Sequence, residues 1–167
     1  MRIEQIVSEM AHDRLLRDKI HTLCGAVGGW ERWFQLELVY YIATHRPGMC
    51  TVELESASAY PDTECRADLF LRSARASQSD TFVELKCQTR DETPARFVQQ
   101  INNDLRKMDA SRSNCSRQLI AVVRTERDAQ NVARELGQTP YAQAIWHRFE
   151  GLTVPFGFFS CYRDPNN

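Results

Sequence analysis

The run Thr81-Phe82-Val83-Glu84-Leu85-Lys86-Cys87 constrains this chain more than any other stretch. Its apolar residues mark a buried strand, yet it holds a carboxylate and an ammonium two positions apart. Successive side chains of a strand point to opposite faces, so Glu84 and Lys86 project together. Val83, Leu85 and Cys87 face the other way, into a core. Burying two charges costs on the order of several kcal/mol each unless they are paired or bind a ligand. The plainer alternative is an edge strand with one solvated face and a weak ion pair, and Glu-x-Lys alone is usually that. The residues around it shift the balance.

The 167 residues suit one domain with a sizeable core. An N-terminal helical extension is expected over residues 1–28, the core over 30–124, and C-terminal helices with a closing strand over 125–167. In the extension, Ile3, Ile6, Val7 and Met10, then Leu15, Leu16, Ile20 and Leu23, have the spacing of one or two amphipathic helices, with Asp13 as break or cap. Packing on the core and a homodimer contact are both open to it. Residues 30–43 are apolar nearly all round and read as a central, well-buried helix ending before Pro47-Gly48.

Residues 49–60 alternate Val52 and Leu54 with Thr51, Glu53 and Glu55, a strand with one wet face. Pro61-Asp62-Thr63 is a turn. Residues 66–71 form a second strand, 73–80 a polar loop, and the Glu84 strand completes an antiparallel meander. Thr93 is an N-cap with Pro94 at the first helical position, ahead of a stripe of Phe97, Ile101, Leu105 and Met108. Residues 118–123 are a strongly apolar fourth strand. Thr125-x-x-Asp128 resembles a capping box and opens a helix to Leu136, closed by Gly137. Thr139-Pro140 opens another, reaching about Phe149. Residues 152–159 read as a last strand, irregular or at an edge because of Pro155 and Gly157. The order predicts a mixed α/β layer architecture.

Composition narrows the function classes. Apolar content of 43% and charged content of 26% are ordinary for a soluble globular protein. A net charge of -1 excludes a global basic field, so any nucleic-acid surface is a local patch. The six cysteines are widely and irregularly spaced without a Cys-x-x-Cys pair, which predicts reduced, mostly buried thiols in a cytoplasmic protein and no structural zinc. The start lacks the apolar core of a signal peptide, and no stretch is long and apolar enough for a membrane span, so no membrane partner is expected.

Three carboxylates are weighed with Lys86. Asp68 falls inside the second strand, where aspartate has poor propensity, on the face of Arg66 and Phe70; the alternative is a strand-end aspartate capping a turn. Glu37 has Trp33, Phe34, Tyr40 and Tyr41 as helical neighbours, so it is either neutral or bound to something positive, unless it hydrogen-bonds a tyrosine. Glu31, in the first helical turn, needs no function. Asp68 and Glu84 on adjacent strands, with Glu37 from a helix, supply the hard oxygen ligands that Mg²⁺ prefers, with Mn²⁺ as a substitute. Such an ion polarises a phosphate oxygen and lowers the pKa of a coordinated water. Lys86 is then placed to orient or deprotonate the attacking water and to neutralise charge developing on phosphorus. A Gly-rich phosphate loop, a Gly-x-Ser-x-Gly elbow and a His-Glu-x-x-His pair are all absent from the sequence, and its four histidines are scattered.

At these residues the chain resembles the PD-(D/E)XK, or restriction-endonuclease-like, nuclease superfamily. Arg66-Ala67-Asp68-Leu69 matches the aspartate strand and Val83-Glu84-Leu85-Lys86 the E-x-K strand, across roughly residues 30–124. Asp68 follows Ala67 instead of proline; a literal Pro-Asp occurs at Pro61-Asp62, which looks like turn chemistry. The resemblance implies a mixed β-sheet flanked by helices in αβββαβ order. It also implies Asp68 and Glu84 as metal ligands, the Leu85 carbonyl as a further one, Glu37 as the supporting first-helix glutamate, Lys86 acting on the water, and Gln100 as a polar residue on the following helix.

Between Lys86 and Arg127 there are nine Lys or Arg against five Asp or Glu. Arg96, Arg106, Lys107, Arg112 and Arg117 are among them, and a bias of this kind holds phosphates beside a metal, although a solvated helix face gives the same count. The expectation is a Mg²⁺-dependent endonuclease hydrolysing nucleic acid, DNA in preference to RNA. The alternative is a catalytically idle nucleic-acid-binding or assembly protein that retains the fold.

Overall fold

The strand that holds Glu84 and Lys86 runs through the interior of a sheet, not along its edge. The computed structural model describes residues 2–24, 28–60, 64–110, 114–136, 145–149 and 156–163. Helices α1 (Ile3–His12), α2 (Arg14–Cys24) and α3 (Trp30–His45) precede strand β1 (Cys50–Ser56) and a 3-10 turn over Ala57–Ala59. Then come β2 (Ala67–Ser73), β3 (Thr81–Cys87), α4 (Pro94–Asp109), β4 (Ser116–Val123), α5 (Glu126–Leu136), β5 (Ile145–Phe149) and β6 (Phe156–Arg163). The six strands form one sheet in the order β1-β2-β3-β4-β6-β5. β1, β2 and β3 make the antiparallel meander, and β3 pairs with β4 in parallel across α4. The fold is mixed α/β, with helices over both faces of the sheet.

Period-two alternation divides the sheet's side chains between two cores. Leu69, Leu71, Val83, Leu85, Cys87, Ile120 and Val122 pack with α1, α2 and α3. Phe70, Phe82, Leu119, Ala121 and Val123 pack with Phe97, Ile101 and Leu105 of α4 and with Ala129 and Val132 of α5. Glu84 and Lys86 share the register of Phe82, which turns Glu84 toward α4.

Local signals start the helices where the sequence places them. Asp13 Oδ1 accepts the Leu15 and Leu16 N–H groups at 2.8 and 3.2 Å, capping α2. Thr93 Oγ1 accepts the Arg96 N–H at 3.3 Å ahead of Pro94. Thr125 Oγ1 accepts the Asp128 N–H at 3.0 Å at the head of α5. The apolar stripe of α1, Ile3, Ile6, Val7 and Met10, is buried in the core shared with α3.

Three expectations need correction. α3 is not buried all round: Trp30, Phe34, Leu38 and Ile42 face the sheet, while Leu36 and Tyr40 are 47% and 66% exposed. It covers one face of the sheet from outside, so the enclosed residues are that stripe at four-residue spacing together with Gln35. The expected helix ending near Phe149 is instead strand β5 over its last five residues, because Ile145–Phe149 pairs with β6. Residues 137–144, with Gly137 and Thr139-Pro140, lie outside the described residues. The last strand is described over Phe156–Arg163, with residues 150–155 outside the described residues, and is interior: Gly157 pairs with Val123 on one side and Arg148 on the other. Among the described residues, no helix is long and apolar enough to cross a membrane.

Candidate active site

The site forms where β2 and β3 part. Their ladder pairs Leu71 with Thr81, Phe70 with Phe82 and Leu69 with Val83. Beyond that point the β3 backbone turns to side chains. Leu85 N–H donates to Asp68 Oδ2 at 2.6 Å, and Cys87 N–H donates to Glu31 Oε2 at 3.0 Å. An aspartate inside a strand thus has a physical reason: its carboxylate replaces the carbonyl that a continuing ladder would supply. Gln35 of α3 reaches into the same opening and donates from Nε2 to the Asp68 carbonyl at 2.5 Å. A residue's N–H and C=O lie on the same side of a strand, so the Leu85 carbonyl faces this opening too. A cavity of about 70 Å³ occupies it, lined by Glu31, Arg32, Gln35, Glu55, Asp68 and Leu85. Glu55 adopts φ 49°, a left-handed conformation costly for a side-chain-bearing residue. Its carboxylate accepts from Arg32 at 3.1 Å and Gln35 at 3.2 Å, which ties it to α3.

On the α4 side, Glu84 is 1% exposed. Tyr60 donates its hydroxyl to Oε1 at 2.6 Å and Lys107 Nζ donates to Oε2 at 2.9 Å. Lys86 Nζ lies 3.3 Å from Asp104 Oδ2 and 3.5 Å from Glu31 Oε1, ion pairs to two different helices. Lys86 and Glu31 open onto a cleft of about 480 Å³ whose wall includes Arg32, Thr89, Arg96 and Gln100.

Burial and charge set the protonation of this cluster. Burial pushes the Glu84 carboxyl up to about 7, against the opposing pull of Lys107 and the Tyr60 hydroxyl. Burial also raises Asp68, opposed by the Leu85 N–H and Lys86, and raises Glu31, opposed by Lys86. For Lys86, burial favours the neutral amine, but Glu31, Asp104 and Asp68 together outweigh it and hold the ammonium above its ordinary range. Burial and the neighbouring Glu84 keep Tyr60 a phenol. Lys86 is therefore held as an ammonium by the carboxylates around it.

Asp68 and Leu85 line the small cavity with Glu31, which Lys86 faces, while Glu84 is turned to the α4 side, bonded to Tyr60 and Lys107. Gln100 and Arg96 line the adjoining cleft. Lys107 turns inward onto Glu84 instead of outward to a phosphate backbone, and Arg106 lines a separate hollow with Asn102 and Asn103. Glu37 does not join them: it is tied to Lys19 of α2 at 3.1 Å. The reason is the rotation of α3, whose sheet-facing polar positions are Glu31 and Gln35, one turn apart. Glu31 is the α3 carboxylate that reaches β3, accepting the Cys87 N–H and facing Lys86. Pro61, Asp62 and Arg112 lie outside the described residues. Sequence reasoning missed Tyr60, Gln35 and Asp104. The last had a signal: Arg96, Gln100, Asp104 and Lys107 recur at intervals of four, four and three, one polar stripe down α4.

The oxygen donors here are of the hard kind that Mg²⁺ prefers. The small cavity is lined by three carboxylates, Glu31, Glu55 and Asp68, against one cation, Arg32, beside the Leu85 backbone. Among the described residues no three His, Cys, Asp or Glu side chains already converge as a ligand cluster. Mg²⁺ needs only one or two carboxylates, with waters filling its other positions. No family model, curated protein or solved structure matches the chain.

Proposed function

We propose that this protein is a divalent-metal-dependent nuclease of PD-(D/E)XK type, hydrolysing phosphodiester bonds of nucleic acid, DNA in preference to RNA. The observation that carries it is the parting of β2 and β3, where Asp68 and Leu85 line a small cavity that shares Glu31 and Arg32 with the cleft onto which Lys86 opens. The element order α3-β1-β2-β3-α4-β4 and the parallel β3–β4 pair add support.

Asp68 and Glu84 would hold the ion, with the Leu85 carbonyl beside them. When bound, it supplies Lewis acidity toward a phosphate oxygen and an acidified water. Glu31 and Asp104 hold the Lys86 ammonium from two sides, so its charge is already in place for the extra negative charge of the transition state. Arg96 and Gln100 offer the cleft wall to neighbouring phosphates and sugars.

A catalytically idle binding or assembly role has one observation in its favour: both Glu84 oxygens are already satisfied by protein donors. One assay separates the two. The protein is incubated with single- and double-stranded DNA and with RNA, in Mg²⁺, Mn²⁺ or chelator. Cation-dependent cleavage is expected, with Asp68→Ala and Glu84→Ala inactive but folded. Cleavage by both variants at the native rate, or none by the native chain on any substrate, overturns the nuclease.

A further inference from the structure

We infer that Glu55 is a positioning residue of the site: its left-handed backbone brings its carboxylate to α3, where it holds the Gln35 amide against the main chain of Asp68. Its part in cleavage rests on the nuclease reading above; its part in the geometry does not.

The pleat of the sheet reverses at one rung. Val52 and Leu54 pack with the core shared with α3, so alternation assigns Glu53 and Glu55 to the opposite face. Glu53 obeys, paired across the strands with Phe70 of the core under α4. Glu55 does not, for its carboxylate meets Arg32 and Gln35 of α3. Beyond it the faces are exchanged. Ser56 donates to Glu53 Oε2 at 2.9 Å, although alternation would put the two on opposite faces. Ala67, the partner of Ser56, packs in the core under α4, although Leu69 lies in the other. The register continues from Leu54 with Leu69 to Ser56 with Ala67, so no residue is inserted. The reversal falls on the rung between those pairs, that of Glu55 and Asp68, and both of these line the small cavity. At φ 49° Glu55 supplies the change of backbone direction, in a region that glutamate rarely adopts.

The side chain then completes a ring. Gln35 is 3% exposed, and its whole amide is engaged. Nε2 donates to the Asp68 carbonyl at 2.5 Å and to Glu55 Oε1 at 3.2 Å, while Oε1 accepts from Arg32. Arg32 also donates to Glu55 Oε1, at 3.1 Å. An amide nitrogen has two hydrogens in one plane, so fixing one on Glu55 aims the other at Asp68.

Two substitutions separate backbone from carboxylate. Glu55→Gly keeps the left-handed backbone without steric cost and removes the carboxylate, whereas Glu55→Gln keeps an acceptor oxygen at the same reach. In NMR spectra of the isotope-labelled full chain without metal, the two Nε2 protons of Gln35 report the two acceptors separately. Glu55→Gly is expected to move both resonances toward those of a solvated amide, and Glu55→Gln to move them less. A Gln35 pair unchanged in Glu55→Gly, or a shift confined to the proton bonded to Glu55, overturns the inference whatever the activity. Melting curves check folding. At saturating Mg²⁺, Glu55→Gly is expected to lower kcat roughly tenfold or more with KM near native, and Glu55→Gln to fall between it and the native chain. A native kcat in Glu55→Gly also overturns the inference. If the native chain cleaves no substrate, the nuclease reading is refuted instead, and the Gln35 resonances still decide the geometry.

Discussion

Glu31 and Glu37 sit on one helix and have different surroundings. Glu31 Oε2 accepts the Cys87 N–H and its Oε1 faces Lys86, so it touches both the backbone and the cation of the site. Glu37 pairs with Lys19, whose side chain is 56% exposed; such surface pairs contribute about 0–1 kcal/mol. Glu31→Gln should lower cleavage by roughly 10²-fold or more, the scale of losing one pre-set electrostatic contact. Glu37→Gln should leave turnover near native. Cleavage rates for the two variants at saturating Mg²⁺ decide it, and an inactive Glu37→Gln with an active Glu31→Gln would remove Glu31 from the site.

Single elements were legible wherever one period and one cap sufficed. The alternation in β3 puts Glu84 and Lys86 on one face without reference to the rest of the chain. Thr93-Pro94 marks the start of α4 by local hydrogen bonding alone. The orientation of α3 was not legible, because its abundant aromatic residues gave no clear apolar stripe: Tyr40 and Leu36 are as hydrophobic by type as Phe34 and Leu38, yet point outward. Asp104 and Tyr60 enter the site from elements whose positions over the sheet depend on tertiary packing. Residues 145–149 went wrong for a similar reason, since pairing with β6 decides that segment. The junction of α3 with β2 offers a test at this scale. Gln35 is 3% exposed and its amide holds the Asp68 carbonyl. Gln35→Leu strands that acceptor, which should destabilise the protein by about 1–3 kcal/mol and slow cleavage by loosening Asp68. Urea denaturation and rates measure both effects; a variant as stable and active as the native chain would mean the strands part without help from α3.

For the whole molecule, the buried carboxylates couple folding to pH. Burial pushes the Glu84 carboxyl up to about 7, well above the ordinary carboxylate range. A raised carboxyl contributes stability that is fully present below the unfolded pKa and lost as pH climbs through the folded one. Between pH 5 and 7 the protein should therefore lose stability, on the order of 1 kcal/mol per pH unit from this group. Asp68 and Glu31 are shifted in the same direction. Melting curves in chelator at stepped pH should fall across this window, with a shallower slope for Glu84→Gln. A native chain equally stable at both ends, or an unchanged slope in Glu84→Gln, would place that proton elsewhere.

The amides of Leu85 and Cys87 have a consequence of another kind. Neighbouring ladder amides are bonded to the backbone of another strand, and their protection from deuterium follows the opening of the sheet. These two are bonded to Asp68 and Glu31 carboxylates, so their exchange also follows side-chain rotation. The protein thus carries two backbone reporters on its own site, separable in one exchange experiment from the slower signal of global unfolding.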